Sequence, residues 1–471
     1  MWFDIAAVAL AGYLCGTWIA AAAVAVLLLI WRIIPRREGP PALQLALTAQ
    51  WTSATCGMFY STLTGRELRA TISSDWGPMV LLALGSILVI AVGIRLGITL
   101  VERNMSDTRE GAPEETVTLR TLFAVYVVSI VVTLGIQQVA FAYPAFTQAI
   151  LALSMIRLAI IYLLLRRFMY PTLRWPLIAA LLGFEVALGF TGFFSGFKDP
   201  LLLAALAVLE RFDVRKPAHW VTTGVLGAAL VVMLMMWISV RSEFRADFDD
   251  DAFASSRVVR LERMRALSSD WLRDSTDRTL WDTADTLIDR AWAIYYPALA
   301  VARVPSVLPF TGGELMHDTL VHLLTPRFLY PDKPDLPSDS DLVRRFTGVY
   351  VAGTEEGTSI AFGYVAESYV DFGVPMMFLP MLIFGVFIGA TYVWFLHLIV
   401  HRELAVTFVT ATYWLNLYGY ERAWSKMLGF TITMMAYVGG VAVFIDRWLL
   451  ARREAEAAEH GHHEPIFGTD R

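Results

Sequence analysis

The sequence predicts an all-α polytopic membrane protein with about eleven transmembrane helices and one large, mostly helical extracytoplasmic loop. Three observations predict it. Hydrophobic residues make up 56% of the 471, only 17% are charged, and mean hydropathy is +0.55. Apolar runs bounded by charge or Pro recur at the ~20-residue length a bilayer demands. One stretch, 241–373, breaks that rhythm: it is long, mixed and charged, far beyond the about 12–15 residues of an ordinary structureless loop. The chain thus divides into a bundle at 1–240, a cap at 241–373, further membrane helices at 374–449 and a polar tail at 450–471.

In chain order, the expected spans are 6–31, 42–62, 77–100, 121–142, 147–168, 174–196, 199–210, 218–240, 374–396, 403–420 and 427–449. The second is rich in Thr, Ser and Gln, and the seventh is short. The first run is too long for a signal-peptide core and has no basic segment before it, so it reads as a retained helix. Cys15 and Cys56 both fall in apolar runs, which argues against a disulfide framework or a Cys-ligated metal. A net charge of −5 gives no basic surface for a nucleic acid.

Basic residues set the expected orientation. Arg32, Arg36 and Arg37 follow the first span, and Arg103, Arg109 and Arg120 the third. Arg166, Arg167 and Arg174 follow the fifth, and Arg211, Arg215 and Lys216 the seventh. Arg402 follows the ninth, and Arg447, Arg452 and Arg453 mark the last exit. The positive-inside rule places these in the cytoplasm, with the N-terminus and the cap outside an inner (cytoplasmic) membrane and the C-terminus inside. Arg157 and Glu185 sit halfway along adjacent spans, where a lone charge costs ~2.5–3.5 kcal/mol, so they are expected to pair.

Inside the cap, residues 257–304 read as helix. Trp281, Ala284, Ile288, Ala291 and Tyr295 form an apolar stripe, beside a row of Asp282, Asp285 and Asp289 expected to face solvent. Pro305, Pro309 and Gly312-Gly313 break the helix, and 315–324 follows as a short amphipathic helix carrying His317 and His322. From 325 to 357 the composition is that of an ordered loop, and the tail beyond Arg453, with His460, His462 and His463, reads as disordered. Asp247-Phe-Asp249 has the spacing of a metal-diphosphate site, but without a nucleotide-binding fold around it a solvated acidic loop is the simpler reading, and no metal is assigned.

The expected topology brings charges to one depth. Lys198, Arg241, Arg245 and Arg422 lie just beyond the outer ends of spans, and Glu367 and Asp371 lie four residues apart just before the ninth. Cations at that level match phosphate oxygens, and a neighbouring carboxylate can accept a hydroxyl proton.

Three motifs lend these residues a family. Val240-Arg-Ser-Glu-Phe-Arg245, Pro326-Arg-Phe-Leu-Tyr-Pro-Asp-Lys-Pro334 and Gly363-Tyr-Val-Ala-Glu-Ser-Tyr-Val-Asp-Phe-Gly373 resemble stretches of Wzy-type O-antigen and exopolysaccharide polymerases. Ser195-Gly-Phe-Lys-Asp199 is similar to their small-small-basic turn, with Lys198 where Arg is usual. The resemblance implies glycosyl transfer outside the membrane, from undecaprenyl diphosphate to the terminal sugar of a lipid-linked unit, with no cofactor. It implies catalytic roles for Glu367, Arg245, Arg290 and Arg327, and substrate contact by Lys198, Arg241, Lys333, Asp371 and Arg422. The implied partners are the undecaprenyl-diphosphate-linked oligosaccharide, membrane lipid, a flippase and a chain-length regulator, and no nucleic acid. The alternatives are an O-antigen ligase with a His317 or His322 base, and a transporter or flippase of lipid-linked oligosaccharide.

Overall fold

The computed structural model describes residues 2–36, 39–103, 117–142, 147–170, 172–190, 198–213, 215–247, 257–274, 277–325, 329–330, 332–356 and 358–461. Among these, the regular elements are all helices. The bundle half comprises α1 (Trp2–Cys15), α2 (Trp18–Ile33), α3 (Ala42–Thr64), α4 (Arg69–Ser73), α5 (Trp76–Glu102), α6 (Leu119–Ala142), α7 (Thr147–Ser154), α8 (Ile156–Met169), α9 (Trp175–Phe190), α10 (Lys198–Glu210) and α11 (Pro217–Ala246). The cap supplies α12 (Arg257–Asp274), α13 (Asp277–Ala291), α14 (Tyr295–Arg303), α15 (Glu314–Leu324), α16 (Asp339–Thr347) and α17 (Gly363–Phe372). α18 (Phe378–Leu398), α19 (Arg402–Leu417) and α20 (Trp424–Gly461) complete the chain.

The apolar runs expected to span are mostly helical, but among the described residues five helical stretches are both long and apolar enough to cross a bilayer: Trp76–Glu102, Leu119–Ile136, Pro217–Phe244, Phe378–Leu398 and Trp424–Ala455. The remaining runs differ for local reasons. The run 6–31 is two helices, because Gly16 adopts a left-handed φ of 60° and Thr17 caps α2 by accepting the Ile19 amide. Asp4 pairs with Arg32, so α1 and α2 form an antiparallel hairpin whose free ends lie together. A single span would have held those two residues apart. The fifth run breaks at Met155 into α7 and α8. In the tail, α20 continues to Gly461 through Ala-Arg-Arg-Glu-Ala-Glu-Ala-Ala-Glu, so this part is helix rather than disordered coil, as strong helix formers dictate.

The tightest packing is between α5 and α18. A Cβ added at Gly97 would lie 2.1 Å from the Val386 carbonyl oxygen, and one at Gly389 would lie 2.1 Å from that of Ile94. Gly93 and Gly385 meet in the same crossing, so two small-xxx-small faces bring the backbones into direct contact. Around this pair, α2, α3, α14 and α17 pack on α5, and α19 packs on α18. α19 is buried along nearly its whole length, on neighbours α3, α8, α18 and α20.

At one end of the bundle the basic residues are latched by buried acids. Arg166 Nε lies 3.0 Å from Glu210, whose backbone oxygen accepts from Arg36. Arg167 grips Glu403 in a two-pronged contact, and the His401 ring lies 2.7 Å from Asp446, both fully buried. The ends of α2, α8 and α10, the start of α19 and the stretch of α20 around Asp446 therefore share one end.

The expected pair in the membrane interior is present. Arg157 Nη2 lies 2.9 Å from Glu185 Oε2, and the Tyr126 hydroxyl donates to Glu185 Oε1.

The cap is not a separate body. Trp292 sits over Gly57 of α3 and donates from Nε1 to the Ala54 oxygen at 3.0 Å, while the Ala293 amide donates to the Ser53 oxygen. Trp292, Ile294, Ala298, Tyr364 and Val365 belong to the bundle's own core. A smaller core of Ala300, Val304, Val343, Phe346, Val351, Phe362, Ala366 and Val370 holds α14, α16 and α17 together. Two members of the acidic row on α13, Asp285 and Asp289, form a latch rather than a solvated face, while Asp282 stays exposed. Arg66 chelates Asp285 and lies over Trp281, and Arg69 pairs with Asp289 at 2.6 Å and lies over Tyr295. The Arg66 guanidinium holds the Asp285 carboxyl below its usual range.

Gly97→Leu and Gly389→Leu are expected to abolish most folded protein, since overpacking costs about 1–3 kcal/mol even where neighbours can yield and here the neighbour is backbone. Gly183→Leu, with nothing within 4 Å of its Cβ position, is the tolerant control; the monodisperse fraction in detergent reads the difference. Arg157→Ala and Glu185→Ala should each lower membrane-inserted protein, while Arg157→Leu with Glu185→Leu recovers much of it, because a lone buried charge costs more than no pair.

Candidate functional site at the cap end of the bundle

Two groups of residues meet where α17, α10 and the end of α13 approach the α19–α20 connection. The first is buried and structural. Gly363, in a left-handed conformation, lets α17 start against the connection; a Cβ there would lie 3.1 Å from the Tyr420 oxygen. The Tyr364 amide donates to the Arg422 oxygen at 2.8 Å, and its hydroxyl donates to Gln50 Oε1 at 2.7 Å. Gln50 in turn donates to the Leu417 oxygen, and Tyr364 packs edge-on against both Tyr420 and Trp424. One turn on, Glu367 Oε2 accepts the Trp424 amide at 2.7 Å, and Trp424 Nε1 donates to Ser368 Oγ at 2.7 Å.

Glu367 is 5% exposed, and burial pushes its carboxyl up to about 8. The Trp424 amide pulls against that rise, and Asp339 and Asp371 add to it. The residue expected to act as base is thus enclosed and holds the first backbone amide of α20. Asp371 is also engaged: it accepts the Leu315 amide at 3.1 Å, the Met316 amide at 2.8 Å and the Thr311 hydroxyl. It is the N-terminal cap of α15 supplied from α17. Lys333 serves the other end of α15, donating to the His322 oxygen at 2.9 Å. Lys426 pairs with Asp339 and donates to Ser359 Oγ.

The second group is open. Lys198 Nζ lies 5.8 Å from the centre of the Tyr418 ring and the Arg422 guanidinium 5.4 Å from the same ring, so one aromatic face gathers two cations. Arg422 also donates to the Asn416 oxygen at 3.1 Å. Asp199 lies within electrostatic reach of both. Glu421 is exposed yet crowded: burial raises its carboxyl, and Arg290 and Lys198 both oppose that rise. Two of the expected site residues, Lys198 and Arg290, therefore act on one solvent-reachable carboxylate, and a third, Arg422, shares the Tyr418 ring with Lys198.

The other expected residues are placed as follows. Arg241 is half-buried on α11, and Arg245 follows it on the same helix. Arg327 lies outside the described residues, as do 191–197 with Ser195-Gly-Phe of the basic turn, and Asp249 to Asp251 of the acidic loop. Asp247 is drawn onto Arg263, which also binds Glu243 at 2.8 Å. His317 is exposed beside Asp318, and His322 is half-buried. Glu421, Asp199 and Tyr418 escaped sequence reasoning. The signal was present: the short connection Leu417-Tyr-Gly-Tyr-Glu-Arg422 between two apolar runs carries more chemistry than a turn needs.

Comparison with known proteins bears on this arrangement. A family model described as Domain of unknown function (DUF8712) matches residues 86–392. The chain belongs to that family. The matched stretch starts within α5 and ends within α18, so it contains the glycine crossing, the cap, Lys198 and Arg290, whereas Glu421 and Arg422 lie beyond it. No curated protein and no solved structure matches the chain.

A carboxyl held at about 8 in the folded state, against about 4.3 unfolded, binds its proton more tightly when folded. That contribution is present below pH about 4.3 and is lost as pH rises through about 8. Glu367→Gln imitates the protonated acid, so its melting temperature should fall less than that of wild type between pH 5 and 8.5. Parallel curves in a thermal-shift titration would show that Glu367 ionises freely.

Proposed function

We propose that this chain is a membrane glycosyltransferase of the polymerase kind, extending a glycan carried on a polyprenyl diphosphate by joining it to a lipid-linked repeat unit at the outer face of the cytoplasmic membrane. The observation that supports this is the open cluster at the cap end of the bundle in which Lys198 and Arg290 bear on Glu421 while Lys198 and Arg422 share the Tyr418 ring. Two cations on one aromatic ring, with a third beside the neighbouring carboxylate, suit a diphosphate beside a sugar: guanidinium forks bind phosphate oxygens, and a ring face packs on a pyranose.

In the reaction, the acceptor hydroxyl oxygen attacks the anomeric carbon of the donor chain. The anomeric C–O bond to the lipid diphosphate breaks, and the diphosphate leaves with the bonding pair. The cations stabilise that departing charge, and the hydroxyl proton passes to a carboxylate. Glu421 takes that role in this proposal, since it is the carboxylate exposed among the cations, and a raised carboxyl is a stronger base. Glu367 becomes a positioning residue: by holding the Trp424 amide it sets where α20 begins and so where Arg422 stands.

Deleting the gene should leave single repeat units and no long chains, whereas loss of a ligase strands polymer on its lipid carrier; a gel separates the two. Arg290→Ala and Arg422→Ala should reproduce the deletion with protein still in the membrane, and Arg422→Lys should rescue in part. Glu421→Gln should lower the rate by ~10²–10⁴-fold. Wild-type chain growth in Arg290→Ala, Arg422→Ala and Glu421→Gln together would overturn the assignment.

A further inference from the structure

We propose that α15 and the turn before it form an interfacial bracket, an amphipathic segment whose apolar side rests in the headgroup region of the lipid leaflet at the cap end of the bundle. This reading does not depend on the catalytic one.

The argument begins with where the segment is tied. The Thr311 and Gly312 amides donate to the Val370 and Asp371 oxygens at 3.1 and 2.9 Å. Phe310 meets the Tyr369 ring edge-on at 5.8 Å and covers Gly373, where a Cβ would lie 2.7 Å from it. Asp371 caps the first turn of α15, and Lys333 takes a carbonyl of its last turn. α15 packs on both α17 and α20. The whole segment is therefore anchored within a few residues of Phe378, where a membrane-length helix starts, and against a second such helix. Its height is set at the mouth of the spans.

Large apolar residues are exposed at that height. Met376, Leu379 and Ile383 on the flank of α18 are 54%, 48% and 61% exposed, as residues facing lipid are. Val307 and Phe310 are exposed on the turn of the cap, and Leu320, Val321 and Leu324 on α15. At 100° per residue, α15 divides into three sectors. Leu315, Met316, Thr319, His322 and Leu323 turn toward the protein, Leu320, Val321 and Leu324 turn outward with exposed His317 among them, and Glu314 and Asp318 form a polar edge beside them. A helix buried on one side, mostly apolar with one histidine on the next and acidic beyond suits the plane of an interface, where an imidazole can reach the headgroups. Exposed Leu and Val there would cost free energy in water, whereas the lipid that faces the flank of α18 supplies a partner at the same depth.

The test uses the full chain in liposomes. With Cys15 and Cys56 replaced by Ala, a nitroxide is placed singly by Leu320→Cys, Leu324→Cys, Asp318→Cys and Ile383→Cys. Collision with dissolved oxygen and with a water-soluble nickel chelate is then compared. Labels at 320 and 324 should favour oxygen, as the label at 383 does, while that at 318 favours nickel. Labels at 320 and 324 that match 318, or that are shielded from both reagents, would overturn the bracket. Wild-type protein supplies an independent readout. A lipid-soluble carbene precursor activated in the vesicles should leave adducts on 307–324 as well as on the spans; adducts confined to the spans would overturn it too.

Discussion

Backbone contact between α5 and α18 is the constraint on which the rest depends. In a bilayer, lipid tails are as apolar as Leu, so two helices gain little by hiding side chains from them. They gain by close approach, which Gly93, Gly97, Gly385 and Gly389 permit by removing everything between the two backbones. These helices are separated by most of the chain, and the family match runs from inside one to inside the other. Their crossing turns the intervening stretch into a closed structure whose cap must fold back on the place where α18 begins.

From that point the cap is fitted to the bundle by polar contacts that each satisfy a helix end or a buried amide. Asp371 caps α15, Glu367 holds the first amide of α20, and Tyr364 joins α17 to α3 through Gln50. Trp292 fills the space over Gly57, and the Arg66 and Arg69 pairs clamp α13 from outside. Buried donors and acceptors must find partners, so these contacts leave few alternative seatings for the cap. The consequence is a rigid rim, on which Lys198, Arg290, Glu421 and Arg422 are presented from three different elements.

The two carboxylates beside the membrane mouth show how burial divides roles between like residues. Glu367 is enclosed, accepts a backbone amide and carries a strongly raised carboxyl. Glu421, on the connection that Glu367 helps to anchor, remains open to solvent among cations. One is suited to holding a helix start, the other to meeting a ligand.

The sequence by itself determined the helical membrane class, the mostly helical character of the apolar runs, the mostly helical cap and the Arg157–Glu185 pair. All of these follow from local hydropathy or from the cost of a lone charge in the bilayer. It also brought Lys198 and Arg422 into view, because basic residues beside apolar runs are visible without coordinates, and Arg290 through the family resemblance. Tertiary structure decided what local composition cannot encode. A left-handed Gly16 turned one apolar run into a hairpin, and Arg66 and Arg69 drew Asp285 and Asp289 of an acidic row into a latch. Glu367, Asp371 and Glu421 read alike along the chain, as acids close to a span. Their partners come from α20, α15 and α13, tens of residues or more away, and only the folded arrangement of those elements assigns each acid its environment.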